Sequence, residues 1–135
     1  MLYMLDTDIC VFILRNSSAS VSEAARRVPA SDLCISVVTL AELLFGAERS
    51  DSKRFNQAIV RGFADRIQIH PWDQSAAESY AVIRNQVQRA GLPAAAMDLM
   101  IASHAVSKGA TIVTNNVRHF HRIQGLKIEN WARPA

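Results

Sequence analysis

Four carboxylates occur in segments of the sequence that are otherwise apolar, and together they favour a metal site. Asp6 and Asp8 directly follow a short apolar run. Glu42 lies in a leucine-rich segment, and Asp98 is in phase with apolar residues at helical spacing. No cation accompanies them, so the four charges would repel one another if they converged without a divalent ion. Oxygen ligands suit Mg²⁺ or Mn²⁺, whereas the cysteines and histidines follow no zinc-ligand spacing.

Each of these polar residues also has a purely structural interpretation. Asp6 and Asp98 both stand where a helix is expected to begin, and an N-cap needs no more than an Asp, Ser, Thr or Asn. Asp8 suits the first turn of a helix, where the helix dipole favours a negative charge. Glu42 alone fits the edge of a core, and Asn116 alone fits a turn. Only their convergence would indicate an enzyme.

The elements that must position the acids follow from the apolar pattern. Strands are predicted at residues 2–5, 33–36, 68–70, 111–113 and 126–129. Helices are predicted over residues 8–15, 21–28, 75–89 and 97–107, and apolar stripes at helical spacing indicate two more around residues 40–47 and 55–67. Short strands without alternation, separated by helices, are typical of an α/β fold around a mostly parallel sheet of four to five strands.

The ends of two predicted strands suggest where the acids could meet. Asp6 follows the first strand, and Asn116 follows the fourth strand after Thr114. Binding sites in open parallel sheets form beyond the carboxyl ends of the strands. We therefore expect Asp6 and Asn116 to lie at one edge of the sheet.

Composition limits the class of protein. The chain has 135 residues, half of them hydrophobic, and two cysteines, which predicts one globular domain over residues 1–135 and excludes a disordered chain or a disulfide scaffold. Twelve of the 15 cationic residues are Arg, which suits a polyanionic partner. No acid occurs between Asp98 and Glu129, and that basic stretch supplies candidate phosphate contacts at Lys108, Arg118 and Arg122.

No targeting or membrane segment is evident in the sequence. The N-terminus has no basic region, and Asp6 and Asp8 interrupt its apolar residues. We therefore expect a cytoplasmic protein that does not enter a membrane, with Cys10 and Cys34 reduced.

Four segments resemble, in the same order, the motifs of PIN-domain ribonucleases, and most of all the VapC toxin group. They are residues 4–10 (Met-Leu-Asp-Thr-Asp-Ile-Cys), 36–43, 98–105 and 112–116. The resemblance covers nearly the whole chain. It implies a PIN-like α/β/α sandwich. It also implies that the protein is the toxin of a toxin–antitoxin pair, an Mg²⁺-dependent endoribonuclease that hydrolyses structured RNA such as tRNA or rRNA loops.

The resemblance also implies roles for individual residues. Asp6 and Asp98 match the family's metal-ligand aspartates, and Glu42 matches its second acidic position, which supports the metal or positions the attacking water. Asn116 stands where many relatives have a fourth acid, which leaves the number of bound metals open. Asp8 stands where relatives commonly have Asn or Ser, so its charge either raises the affinity for metal or faces away from the site.

A partner is implied as well. Toxins of this family are inhibited by a cognate VapB antitoxin, and they are expected to form homodimers. The natural docking groove for the antitoxin lies along the helices that carry six apolar residues: Leu43, Leu44, Phe45, Phe55, Ile59 and Phe63. These six residues are equally explained as core residues that need no partner.

Two other classes of protein remain open. Asp6-Thr7-Asp8 after an apolar strand imitates the nucleophile motif of haloacid-dehalogenase-like phosphatases, with Asp6 as the nucleophile. Against this class, residues 114–116 supply no acid, and Cys10 replaces the Thr or Val of that motif. The other alternative is a non-catalytic binding module that uses its acids only as helix caps.

Overall fold

A single parallel sheet organises the chain in the computed structural model, which describes residues 1–132. Its strands are β1 (Tyr3–Leu5), β2 (Leu33–Ser36), β3 (Gln68–His70), β4 (Thr111–Val113) and β5 (Lys127–Glu129). They are ordered β3-β2-β1-β4-β5, and every neighbouring pair is parallel. The predicted α/β fold with a mostly parallel sheet is therefore confirmed.

Within residues 1–132, seven α-helices connect or follow the strands. They are α1 (Thr7–Arg15), α2 (Ala19–Arg27), α3 (Val37–Glu48), α4 (Lys53–Ala64), α5 (Gln74–Arg89), α6 (Ala96–Lys108) and α7 (Val117–Phe120). The sequence pattern did not predict α7, nor the short 3-10 turn at Ala30–Asp32. The apolar stripe of α4 was predicted to continue to Ile67, but the helix ends at Ala64. Among the described residues, no helix combines the length and apolar character needed to cross a membrane.

β1 lies at the centre of the sheet, so the residues that follow it lie beside those that follow β2 and β4. Tyr3 pairs with Leu33 of β2 on one side and with Thr111 of β4 on the other. The Asp6 backbone N–H donates to the Val113 carbonyl oxygen at 3.0 Å, which continues the β1–β4 pairing beyond the last strand residue. Residues that follow β1 and β4 are therefore neighbours. They lie at the edge of the sheet formed by the carboxyl ends of the strands, here called the carboxyl edge.

Successive residues of β1 point to opposite faces of the sheet, which creates two hydrophobic layers. Met4 packs in a cluster with residues of α5 and α6, such as Ile83 and Ile101. Leu5 packs in a second cluster with residues of α1 to α4, such as Ile9 and Val60. The fold is thus an α/β/α sandwich, and α1 and α3, which directly follow β1 and β2, begin at the carboxyl edge, where the acids lie.

Candidate active site

Asp6 lies directly after β1 and caps α1. Its carboxylate accepts a hydrogen bond from the Ile9 backbone N–H at 3.0 Å, and the residue is only 5% exposed. Burial raises the pKa of Asp6 to about 6; hydrogen bonds from the Thr114 side chain and the Ile9 N–H oppose this rise, while the charges of Asp8 and Asp98 add to it. The capping interpretation is correct for Asp6, and the same carboxylate faces two other acids.

Asp98 is not a helix cap. The N-cap of α6 is Ala95, so Asp98 occupies the first turn of the helix. Burial is the main reason that the pKa of Asp98 is raised; the negative charges of Glu42 and Asp8 also raise it, and His119 lowers it. These electrostatic effects require short separations, so Asp98 lies close to Asp8 of α1 and Glu42 of α3.

Glu42 lies in the second turn of α3, and its carboxylate is held by α1. The Thr7 hydroxyl donates a hydrogen bond to Glu42 Oε1, although the two residues are 35 positions apart in the sequence. Thr7 stands between Asp6 and Asp8, and sequence reasoning gave it no role. Its place within the Asp-Thr-Asp motif was the one signal that could have drawn attention to it.

Asn116 and Asp8 face each other across the carboxyl edge. Asn116 Nδ2 donates to Asp8 Oδ2 at 3.3 Å, and the Asn116 backbone N–H donates to Thr114 Oγ1 at 2.9 Å. Thr114 is fully buried, so its hydroxyl is a fixed support for the loop after β4. Asp8 therefore points toward the other site residues and not away from them.

An imidazole, that of His119, also lies near the acids. His119 of α7 lowers the pKa of Asp98 through its charge. The His119 backbone N–H donates to the Asn116 carbonyl oxygen at 3.0 Å, which ties α7 to the loop after β4. The sequence could not indicate this neighbour because α6 and α7 meet only in the folded chain.

The donor set suits a hard cation that retains much of its water. Asp6 and Asp98 offer carboxylate oxygens, and their raised pKa values show that the uncompensated charges are costly. Within residues 1–132, no three His, Cys, Asp or Glu side chains are close enough to enclose an ion by themselves. Mg²⁺ typically binds through one or two carboxylates and several waters, so the residues fit such an ion.

The three candidate phosphate contacts are not equivalent in the structure. Arg118 lies on α7 next to His119, and Arg122 follows that helix; both are exposed. Lys108 lies at the other end of α6, about 15 Å along the helix axis from Asp98. Its Nζ is 3.3 Å from the Asp73 carboxylate. The structure thus brings Arg118 to the carboxyl edge and leaves Lys108 far from it.

A groove between α1, α3 and α4 opens at the acids. It encloses about 270 Å³ and extends from Thr7 and Glu42 past apolar side chains such as Leu14 and Ile59. Of the six apolar residues expected to form a docking surface, Leu43 is buried in the wall of this groove, and Phe63 is buried in the core. By contrast, Phe45 and Phe55 are 63% and 68% exposed, which is unusual for core side chains.

Comparison with known proteins agrees with the motifs. The family model of the PIN domain matches residues 3–126. The tRNA(fMet)-specific endonuclease VapC of Shigella flexneri is 45% identical over 96% of this chain and 98% of its own length. Its counterpart from Salmonella typhimurium is 42% identical over 96% of this chain and 97% of its own. The chain therefore belongs to the PIN domain family and, within it, to the VapC group.

Solved structures give the same result for the fold. DNA-bound VapBC from Salmonella typhimurium superposes with a TM-score of 0.91, at 42% identity, over 97% of this chain and 99% of that one. VapBC2 from Rickettsia felis, bound to a DNA fragment from its promoter, superposes with a TM-score of 0.90, at 36% identity and with the same coverage. The resemblance stated from the motifs is confirmed.

Proposed function

We propose that this protein is the toxin of a toxin–antitoxin pair and that it cleaves RNA as a divalent-metal-dependent endoribonuclease. The observation that carries the proposal is the convergence of Asp6, Glu42 and Asp98 at the carboxyl edge of a PIN-domain sheet. Relatives over nearly the full chain are named as VapC ribonucleases or endonucleases, which supports the same reaction here.

PIN-domain nucleases generally use divalent metal ions, and we assign Mg²⁺ to this site, with Mn²⁺ as a substitute. Asp6 and Asp98 would hold the ion as its protein ligands, and Glu42 and Asp8 would act on it through bound water. The ion, when bound, supplies Lewis-acid polarisation of the scissile phosphate and lowers the pKa of a bound water. Its charge would also stabilise the carboxylates of Asp6 and Asp98, whose pKa values are raised mainly by burial and further by neighbouring acids.

The chain's own residues position the reactants. Glu42, oriented by the Thr7 hydroxyl, holds the attacking water and accepts its proton. The carboxamide of Asn116 orients a second water or a phosphate oxygen. Water attacks phosphorus as it gives up one proton to Glu42, the bond from phosphorus to the 3′ oxygen breaks, and that oxygen takes up a proton from solvent. The products carry a 5′-phosphate and a 3′-hydroxyl.

The substrate we propose is structured RNA, in particular a tRNA or rRNA loop. Two relatives are named as specific for tRNA(fMet), which favours tRNA. Loops expose unstacked bases that a protein surface can bind. Arg118 and Arg122 are placed to contact phosphates that flank the cut, whereas Lys108 would contact only RNA that extends along α6.

A VapB-type antitoxin is the proposed inhibitor. Several solved relatives are VapBC complexes, which supports a partner of that kind. The groove between α1, α3 and α4 ends at Thr7 and Glu42, so a segment bound there would cover the site. The exposed Phe45 and Phe55 supply apolar area for the same contact. A homodimer and a cytoplasmic location complete the proposal.

Cleavage by purified, antitoxin-free protein tests the function directly. Incubation with total tRNA and Mg²⁺ should give discrete fragments with 5′-phosphate ends, and EDTA should abolish them. Asp6→Ala and Asp98→Ala should remove the activity, whereas Glu23→Ala, which changes an exposed acid on α2, should retain it. Equal cleavage by wild type and Asp98→Ala would assign the activity to a contaminant and refute the proposal.

The phosphatase alternative has its own distinct outcome in the same preparation. It predicts release of phosphate from a phosphomonoester such as p-nitrophenyl phosphate and a trapped phosphoryl group on Asp6. If the protein cleaves RNA, releases no phosphate from the phosphomonoester and carries no phosphoryl group on Asp6, the result supports the nuclease and excludes the phosphatase. A non-catalytic module would show neither activity at any metal concentration.

A further inference from the structure

A second, polar cavity adjoins the acids on the side of α7 and β5. It encloses about 430 Å³ and is lined by Asn115, Asn116, Val117, Arg118, His119 and Asn130. None of these residues is acidic, although four carboxylates lie on the neighbouring side of Asn116. Its volume falls within the range of about 300–1,000 Å³ that is usual for small-molecule sites. The cavity is therefore suited to a neutral or anionic group.

Hydrogen bonds orient the amide groups of this cavity. Asn130 Nδ2 donates to Asn115 Oδ1 at 3.3 Å, and Asn130 Oδ1 accepts from the Ala132 backbone N–H at 2.9 Å. The oxygen of Asn115 is thereby engaged. Its Nδ2 group donates to no protein acceptor within residues 1–132, so Asn115 presents hydrogen-bond donors to whatever occupies the cavity.

The cavity is continuous with the candidate active site. Asn116 lines the cavity and also donates to Asp8 Oδ2 at 3.3 Å. His119 lines it too and is the histidine whose charge acts on Asp98. A group bound in the cavity is therefore next to a phosphate bound at the acids.

The lining favours a nucleobase over a phosphate alone. Carboxamides form hydrogen bonds with base edges, while imidazole and guanidinium planes stack on unpaired bases in RNA complexes. A bare phosphate would need only cationic or amide donors and would leave the apolar Val117 without a contact. The Asn115 donors match guanine, which presents the two acceptors O6 and N7. The paired contact by which Asn recognises adenine at N6 and N7 needs the carboxamide oxygen, and the Asn115 oxygen already accepts from Asn130.

We propose that this cavity, which we call the base pocket, holds the nucleobase beside the scissile phosphate and selects guanine over adenine. Asn115 contacts the base, and Asn130 is a positioning residue that fixes the Asn115 amide. The proposal rests on the proposed function, because it takes RNA as the substrate of the adjoining acids. It adds to that function a site that discriminates among RNA sequences.

Binding without cleavage gives the first test. The full chain, labelled with ¹⁵N and free of divalent metal, is titrated in separate experiments with GMP, AMP, IMP and inorganic phosphate. We expect the side-chain amide signals of Asn115 and Asn130 to shift with GMP and IMP at concentrations roughly tenfold lower than with AMP. Equal shifts with all nucleotides, or shifts with inorganic phosphate alone, would overturn the base pocket.

Cleavage gives the second test. Two RNA hairpins that differ only by guanine or adenine beside the cut are compared as substrates. Wild type should prefer the guanine hairpin roughly tenfold in kcat/KM. Asn115→Ala and Asn130→Ala should lower kcat/KM for the guanine hairpin roughly tenfold and so remove the preference. Asn85→Ala, which changes an exposed carboxamide on α5, should keep the preference. An unchanged preference in Asn115→Ala would refute the assignment.

The two tests separate the base pocket from the nuclease itself. If wild type cleaves no RNA but GMP shifts the Asn115 signal, the proposed function fails and the base pocket stands. If wild type cleaves both hairpins equally and no nucleotide shifts the signal, the proposed function stands and the base pocket fails.

Discussion

The Ser36 hydroxyl lies 2.8 Å from Nδ1 of His104, and both side chains are fully buried. Ser36 Oγ also accepts from the Val38 backbone N–H at 3.1 Å, which fixes the hydroxyl at the start of α3. The bond joins the start of α3 to the middle of α6, the two helices that carry Glu42 and Asp98. Burial favours the neutral form of the His104 imidazole by lowering its pKa, and the neutral ring forms this bond with Ser36.

The burial of His104 predicts that the free energy of unfolding decreases at low pH. Burial lowers the pKa of His104 to about 4 from 6.5; His70 and Lys108 lower it further, and Asp73 opposes them. Between pH 6.5 and 4 the unfolded chain binds a proton at this position and the folded chain does not. The stabilisation from neutral His104 is therefore lost as pH falls through that window, by up to roughly 3 kcal/mol.

Urea unfolding at several pH values between 7 and 4.5 measures the effect. The difference in unfolding free energy between wild type and His104→Leu should shrink toward low pH. His121→Gln, which changes an exposed histidine, should give a curve parallel to wild type. Parallel curves for wild type and His104→Leu would contradict the prediction.

The second prediction concerns Asp6, whose pKa is raised, whereas that of His104 is lowered. Its pKa is raised from 3.8 to about 6, so the favourable protonated form is lost as pH rises through 6. At pH 7 the buried charge costs roughly 2–3 kcal/mol in the absence of metal. Asp6→Asn removes that charge and keeps a capping side chain, so it should raise the melting temperature in EDTA while abolishing cleavage.

Two comparisons check the Asp6 prediction. Asp6→Ala should be less stable than Asp6→Asn by about 1 kcal/mol, because alanine leaves the Ile9 N–H without its cap. The advantage of Asp6→Asn over wild type should also disappear at pH 4. If Asp6→Asn melts below wild type at pH 7 in EDTA, the buried charge is not the dominant cost.

A third prediction concerns Asp8. This exposed acid faces Asn116 and adds negative charge near Asp6 and Asp98. Asp8→Asn should retain cleavage but require a higher Mg²⁺ concentration for half-maximal rate. A titration of rate against Mg²⁺ measures this, and complete loss of activity at saturating metal would show that Asp8 has an essential role.

A fourth prediction concerns Thr7 as a positioning residue. Thr7→Val is nearly isosteric but cannot donate to Glu42, so kcat should fall roughly tenfold or more while KM for RNA stays unchanged. Thr7→Ser keeps the hydroxyl and should restore most of the rate. Single-turnover kinetics with one RNA substrate separates the two constants. Equal rates for Thr7→Val and Thr7→Ser would refute the positioning role.

Local patterns in the sequence were sufficient to predict most of the elements. The β-branched run at Thr111–Val113 and the apolar run before Asp6 are both strands, and the residues after them do meet at one edge. The order of the strands could not be predicted, since pairing between β1 and β4 depends on contacts across nearly the whole chain. α7 was missed because four residues carry no helical period.

The site was predicted in part for the same reason. Acids in apolar segments were recognisable, but the capping interpretation of Asp98 was wrong because α6 begins earlier, with its N-cap at Ala95. The neighbours of the acids were not recognisable. Thr7 reaches Glu42 from another helix, and His119 reaches Asp98 from α7, so neither pair has a local signature.

The position of β1 at the centre of the sheet has a consequence for synthesis of the protein. The first strand leaves the ribosome early, yet its partner β4 begins only at Thr111. Asp6 therefore cannot be fixed against Thr114 until most of the chain has been translated. Any message broken before that codon yields a polypeptide without the assembled carboxyl edge. Only translation products that extend past β4 and Thr114 can therefore assemble the site.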